Sequence, residues 1–420
     1  MRCWGRPMRL LHVTHQYRPA IGGSEKYFVD LSEELVRRGH QVDVFTTRSR
    51  DFWTWRNELL PFERLEGVGV HRFWSLQRRG YTWRVLDYGK INYQRTHSSF
   101  YEPFFLFGSG PISIGLFLSI LRHGHHYDLV HLNALPYAHV VYGFLAAQWR
   151  GLPVVITPHL HVDQPDTFDL GCFNTVLRRA DLVIADSELE KCYLISKGVA
   201  DEQIVVGGVG LSLEEFPAWS QEECRRRLGL PEDAFVLLFL GRKMAYKGLE
   251  AVLQAFLGLR ERYSQLHLVV AGPETDYSQQ LFAPYTSLPN LHCSDLVSDE
   301  EKNVLLNACD VLLLPSAAEA FGIVFLEAWA IGKPVIGARS GAIPFIITEE
   351  HDGLLVEPGD TVGLIRQVER LMADPELSGR LGSNGYEKVR SRYTVARIAD
   401  IVEGAYLRIL RQRRNQRRKL

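Results

Sequence analysis

A chain of 420 residues, 46% hydrophobic and 23% charged, is a globular protein long enough for two domains, each with its own core. Its formal net charge of −1 excludes a general electrostatic case for nucleic acid as a partner. The six cysteines are scattered and include no CxxC pair, so neither a zinc site nor a disulfide framework is indicated, and a reducing, cytoplasmic setting is expected.

The chain opens MRCWGRPMRLLHV, whose apolar run is too short for a signal peptide. Residues 1–7 therefore read as an extension ahead of a first strand at 10–13. The loop HQYRPAIGG then leads into a helix over 24–38, with Tyr27, Phe28, Leu31 and Leu35 on its apolar face and Gly39 ending it. Gly22 and Gly23, at the start of that helix, let the backbone come close to a ligand, although a Gly-Gly pair also serves as a plain turn. A second strand is predicted at 41–46.

Between residues 48 and 100 the periodicity weakens, while ten basic residues face five acidic ones among Trp53, Trp55, Trp74, Tyr81 and Trp83. Such a segment binds sugars or anionic lipid through its rings and arginines, or is an irregular solvated insertion. Residues 103–121 carry no charge. They read as a buried connection followed by a helix starting at Pro111, with a membrane-interfacial segment as the alternative. His123, His125 and His126 suggest a metal or a solvated turn. Strands at 127–132 and 153–157 flank a helix over 138–149, and the second runs into Pro158-His159-Leu160-His161. His159 and His161 thus compete for a place at a strand's carboxyl end, where either could be merely structural. A strand at 181–185 ends at Asp186-Ser187 as a helix cap, and 204–206 leads into GGVGLSLEEF.

Phe216–Ser220 reads as a linker, after which a helix over 220–228 restarts the αβ pattern. The apolar strand 236–240 enters Gly241-Arg242-Lys243-Met-Ala-Tyr-Lys247-Gly248, where two cations at a strand end suit a leaving nucleoside diphosphate, although a chance basic turn would read the same. Strand 266–271 ends in a second glycine turn at Gly272. The apolar run 311–314 ends at Pro315-Ser316, and a helix follows from near Phe321-Gly322 to Gly332. Glu319 falls in the loop and Glu327 inside the helix. Two carboxylates beside a helix N-terminus suit sugar hydroxyls next to phosphate, although two solvated glutamates on an amphipathic helix would read the same.

The stretch PSAAEAFGIVFLEAWAIGKPVI, with Glu319 and Glu327 eight apart, resembles the signature of retaining glycosyltransferases of the GT-B fold, most closely glycosyltransferase family 4. Gly22-Gly23-Ser24-Glu25, Gly241-Arg242 with Lys247-Gly248, and His351-Asp-Gly353-Leu-Leu-Val356 extend the likeness over most of residues 9–395. It implies an α/β GT-B architecture of two Rossmann-like domains facing across a cleft. The first, residues 1–215, would bind the acceptor, the second, 216–395, the nucleotide sugar, and a terminal helix and basic tail, 396–420, would follow. The helix would pack back on the first domain, and the tail, with seven basic and no acidic residues over 408–420, would be solvated or lie on a membrane.

The implied activity is hexosyl transfer with retention from a UDP- or GDP-sugar to a hydroxyl of a glycan or a polyprenyl- or lipid-linked acceptor. It would serve cell-envelope or exopolysaccharide assembly at the inner leaflet of an anionic membrane, with no obligatory metal or other cofactor. By the same resemblance Glu319, His159, Arg242 and Lys247 are catalytic. Gly22, Gly23, Gly272, Val297, Phe321, Gly322, Ile323 and Glu327 bind the donor, Glu327 at the ribose and the 290–297 segment at the base. Four positions depart from the family pattern: Gly207 and Gly210 stand where Asn and Asp are usual, Asp295 where Gly is, and Phe345 where Glu is. A nucleotide-sugar 2-epimerase of the same fold and a non-catalytic nucleotide-binding protein are the alternatives. A dinucleotide-binding protein is disfavoured because no strand runs into GxGxxG.

Overall fold

The computed structural model describes residues 6–19 and 22–417. What was expected of residues 1–5 and of the last three tail residues lies outside them. The chain forms two compact units, one running to Gly210 and resuming at Val395, the other Leu211–Thr394. The division falls five residues earlier than the sequence suggests, and Phe216, read as linker, is buried at 5% exposure because its ring packs within the second unit beneath Lys302.

The first unit is built on eight strands: β1 Arg9–Val13, β2 Gln41–Thr47, β3 Phe62–Leu65, β4 Val68–Phe73, β5 Leu129–Asn133, β6 Val154–Thr157, β7 Leu182–Ala185 and β8 Ile204–Val206. Their order is β3-β4-β2-β1-β5-β6-β7-β8, parallel except for the β3–β4 hairpin. Alternate residues leave the sheet on opposite sides, so Leu11 and Val13 join one apolar cluster while Leu10 joins another. The stretch after residue 48 is more regular than its composition predicts. It supplies β3, β4 and the helix Gly80–Thr96, because Val68 and Val70 are fully buried and Thr82, Gly89 and Tyr93 recur on the helix's inner face. The uncharged stretch forms two helices, Glu102–Ser109 and Ile114–His123, bent by 98°. Among the described residues no single helix is long and apolar enough to cross a membrane.

The terminal helix, Val395–Arg417, belongs to this unit. Ile398, Val402, Tyr406 and Ile409 recur at helical spacing and are buried against the β1–β5 core, each worth roughly 1.5–3 kcal/mol. Arg38 binds Asp400 and Glu403 at its start, and Arg413 binds Asp181 at 2.9 Å near its end. The expected solvated tail is therefore helical to Arg417, since Ile409 and Arg413 still find partners on the first unit.

The second unit has six parallel strands, β9 Phe235–Leu240, β10 Leu266–Ala271, β11 Leu291–Ser294, β12 Val311–Leu314, β13 Val335–Ala338 and β14 Leu354–Val356, ordered β11-β10-β9-β12-β13-β14. β12 and β10 are buried throughout, which is why they read as unbroken apolar runs. The order reverses between β9 and β12 here, and between β1 and β5 in the first unit. Ligands of such sheets bind outside the carboxyl ends at that reversal.

Candidate active site

In the second unit the reversal brings two of the singled-out groups into contact. The loop after β9 ends in a short helical turn, Ala245–Lys247, and Lys247 Nζ lies 2.5 Å from Glu319 Oε2 in the loop after β12. Arg242, in the same β9 loop, is exposed and makes no ion pair among the described residues. The two loops are tied together by the Ala317 N–H donating to the Tyr246 carbonyl. Gly272, after β10, sits at φ +138°, and a Cβ there would come within 2.0 Å of the Gly241 carbonyl, so only glycine closes this corner.

Gly322 is the N-cap of the helix Ile323–Ala330 at φ +87°. A side chain on it would press on the Phe325 ring and approach Glu319 Cγ. Phe321 is buried against Tyr393, and Ile323 opens the helix with its N–H free of intrahelical partners. Glu327, in the second turn, is held at 2.9 Å by Lys302, a partner the sequence did not single out. Val297 is half-buried in the loop between β11 and the cap Ser298, and Asp295 beside it accepts from the Glu274 N–H at 3.0 Å. Lys243, given no role from the sequence, is buried with its ammonium 3.6 Å from Glu274.

His159 and the Gly22-Gly23 pair belong to the first unit. Gly22 is the N-cap and Gly23 the first residue of the helix Gly23–Arg37. Two turns of β-strand chemistry meet near them: His15 follows β1 and Asn133 ends β5, the strands flanking the reversal. His15 stacks on Tyr137 at 3.9 Å and its Nε2 lies 2.5 Å from Glu25 Oε1. Burial alone would push the Glu25 carboxyl up, but the charge and hydrogen bond of His15 outweigh it and pull it down to about 2.

His159 follows β6 with φ +51°. Asn133 fixes its protonation by elimination. The Asn133 amide NH₂ donates to the Ser24 carbonyl at 3.0 Å, so its oxygen must accept, and His159 Nε2 at 2.9 Å must donate. Nδ1 lies 2.6 Å from the Asp186 carboxylate. Both ring nitrogens thus carry protons. Burial disfavours that charge, but Asp186 more than compensates and raises the ring's pKa above its ordinary value. Glu190, beneath, accepts from the Leu160 and Asp186 N–H groups, and burial beside Asp186 raises its own carboxyl. His161 lies elsewhere, tilted against Phe168, so His159 is the histidine built into the polar network.

The sequence missed Asn133, His15, Lys302 and the second role of Asp186. Only their position at strand ends flanking the reversal points to the first two, and strand order is not written in the sequence. Among the described residues no group of three or more His, Cys, Asp or Glu could hold a metal ion.

Two doubly wound units, the second with a lysine–carboxylate pair at its reversal, are the elements of a GT-B fold. The sequence profile described as Glycosyl transferases group 1 matches residues 220–388, and that of the Glycosyl transferase 4-like domain matches residues 22–210. A D-inositol 3-phosphate glycosyltransferase of Streptomyces bingchenggensis is 32% identical over 90% of this chain and 84% of its own length. An N-acetyl-alpha-D-glucosaminyl L-malate synthase of Bacillus anthracis is 27% identical over 94% of this chain and 97% of its own. The fold matches the crystal structure of HepE from Anabaena in complex with UDP-glucose at TM-score 0.70, with 21% identity, 95% of this chain and 99% of that chain covered. The chain belongs to the glycosyltransferases of family 4 type and is an enzyme of that class.

Proposed function

We propose that this enzyme transfers a hexosyl group, with retention of anomeric configuration, from a UDP- or GDP-sugar to a hydroxyl of a glycan or lipid-linked acceptor in cell-envelope or exopolysaccharide assembly. The observation that carries the reading is the Lys247–Glu319 pair at 2.5 Å at the reversal of the second unit, with exposed Arg242 on the same loop as Lys247. Arg242 and Lys247 stabilise the charge that develops on the departing diphosphate, together with the N–H groups of Phe321, Gly322 and Ile323. Glu319 bonds the donor sugar's hydroxyls and Glu327 those of the ribose. Gly272, Gly22 and Gly23 let backbone approach the phosphates, and the Val297 loop holds the base. The bond from the sugar's anomeric carbon to phosphate breaks as the bond to the acceptor oxygen forms on the same face, and the acceptor proton passes to the departing phosphate. No metal is required in this course.

His159 has both nitrogens engaged within the protein, so it acts as a fixed positive charge and not as a proton acceptor. A peripheral place on the inner leaflet is supported by the outer face of the helix Gly80–Thr96, where Tyr81, Arg84, Tyr88, Ile91 and Arg95 recur at helical spacing and are exposed. A second reading of the acceptor, a small soluble hydroxy-anion, is favoured by the names of the relatives, which specify an inositol phosphate and a malate.

The test is release of nucleoside diphosphate from UDP- and GDP-sugars with lipid-linked, glycan and small anionic acceptors, with the product's anomeric configuration read by NMR. Acceptor-dependent release with the donor's configuration kept is the expected result. Release without acceptor, with a 2-epimeric sugar formed, would replace transfer by epimerisation, and nucleotide binding without turnover would leave a binding protein.

A further inference from the structure

The histidine-rich turn has no part in glycosyl transfer, yet it borders a hollow of about 520 Å³ in the first unit. The hollow lies on the face of the sheet covered by the helix Ile114–His123 and is reached beside Arg9 and Gln41, the first residues of β1 and β2. The catalytic loops follow the strands' other ends. Its size is within the range of small-molecule sites.

Its lining has two kinds of surface. Phe45 and Phe73, with ring centroids 5.1 Å apart, form an aromatic floor together with Tyr127. Around them stand Arg9, His71, His123 and His126. The rings of His123 and His126 lie stacked with centroids 6.2 Å apart, and His125 lies against His126 at 3.9 Å.

The carboxylate in the lining, Asp43, is already answered from within. Its Oδ2 accepts from the Tyr127 hydroxyl at 2.9 Å, and its Oδ1 is 3.8 Å from His71 Nε2. Burial tends to raise its pKa, but the His71 and Tyr127 bonds and the charges of His71 and Arg64 hold it below the ordinary value. Asp128 is engaged by the Arg9 backbone N–H at 2.7 Å, and among the described residues the Arg9 guanidinium makes no ion pair. Partial desolvation, then His125, His123 and Arg9, hold the His126 ring below its ordinary value. Asp43, engaged by His71 and Tyr127, is the one carboxylate among the described residues that line the hollow, and Arg9, His123 and His126 stand around it without a carboxylate of their own in that lining.

We propose that this hollow is a second ligand site, separate from the donor site, for an organic phosphate with an aromatic body: the ring rests on Phe45 and Phe73 and the phosphoryl group is held by Arg9, His71, His123 and His126. A bound dianion favours the protonated imidazoles, so binding takes up protons and strengthens as pH falls.

The probe is phenyl phosphate, titrated into the full-length protein with ¹⁵N-labelled histidine at pH 6 and pH 8. The ring resonances of His71, His123 and His126 are expected to shift together and saturably, with affinity about tenfold weaker at pH 8, the equivalent of one imidazole shifted by one pKa unit. Arg9→Gln should weaken binding by about tenfold. Ser119→Phe, which fills the hollow from the covering helix, should abolish it while leaving glycosyl transfer unchanged. Arg242→Ala, at the donor site, should leave the phenyl phosphate titration as in wild type. Absence of saturable shifts, equal binding by Arg9→Gln, or equal response to inorganic sulfate, meaning an adventitious ion only, would each overturn the proposal. Loss of transfer activity in wild type would overturn the proposed function and leave this site standing.

Discussion

The two units carry the same sheet order around the reversal but arm it differently. In the first, the polar groups at the strand ends face one another: His15 lies against the Glu25 carboxylate, His159 is bonded to both Asn133 and Asp186, and Glu190 accepts from two backbone N–H groups. In the second, the corresponding loops are glycine-rich, Arg242 stands exposed, and the ion pairs Lys247–Glu319 and Lys243–Glu274 join them. A network closed on itself fixes shape and charge before any ligand arrives. A loop that keeps a cation exposed leaves that charge available to a ligand. The sheet order sets where a site can form, and the side chains at its strand ends decide whether it is rigid or receptive.

The largest effect should come from the receptive side. Lys247→Ala or Arg242→Ala is expected to lower turnover by roughly 10²-fold, the scale of losing one group that stabilises developing charge, with the fold intact by circular dichroism. Near-normal turnover in both variants would remove the contrast between the units.

Within the second unit, Glu319 and Glu327 should separate. Glu319→Gln is expected to reduce kcat by about tenfold or more with nucleoside diphosphate affinity little changed, because contacts that strengthen in the transition state act on rate. Glu327→Ala should raise the dissociation constant for free nucleoside diphosphate by about tenfold, the worth of one hydrogen bond to a charged group. Calorimetry on both variants beside steady-state rates gives the comparison, and the opposite pattern would exchange their roles.

The closed network should show itself in stability against pH. Asp186→Asn is expected to cost about 1.5–3 kcal/mol at pH 6, since a hydrogen bond to a charged group is lost. The folded-state pKa of His159 is raised, so its contribution is full below 6.5 and is lost as pH rises through the folded value. The variant should lack that decline in denaturant melts. Glu25 has the opposite sign. Its carboxyl is depressed from 4.5 to about 2, so its contribution is present above 4.5 and disappears as pH falls toward 2. Glu25→Gln should flatten that acid limb, at a cost of roughly 1–2 kcal/mol at pH 7.

The smallest effect is expected at the surface. Reversing Arg84 and Arg95 to Glu should weaken binding to anionic vesicles by no more than a few-fold per charge, and raising salt should weaken wild-type binding likewise. Deleting residues 408–420 is the poorer test, because it removes Ile409 and Arg413 from the first unit. Vesicle binding indifferent to both charge and salt would remove the electrostatic account of membrane association.

The sequence by itself determined the buried strands and the glycine-marked helix starts, because those depend on local runs and local backbone freedom. The residues 311–314 and the helix that follows were legible for that reason, as were the positions of Glu319 in a loop and Glu327 in a helix. Sequence alone also carried the family likeness, through short motifs whose spacing survives without knowledge of the neighbours. It did not reveal the regular elements after residue 48, where aromatic and basic side chains obscure a β-hairpin and a helix stabilised by packing. It gave no sign that the basic tail continues as helix, since the partner of Arg413, Asp181, is 232 residues away. The pairing of Asn133 and Asp186 with His159, of Lys302 with Glu327, and of Arg9 with His126 was decided by strand order and helix packing alone. Each of those pairs joins residues from different strands, loops or helices. Their separation along the chain carries no periodic signal, so only the folded sheet brings them within hydrogen-bonding or electrostatic reach.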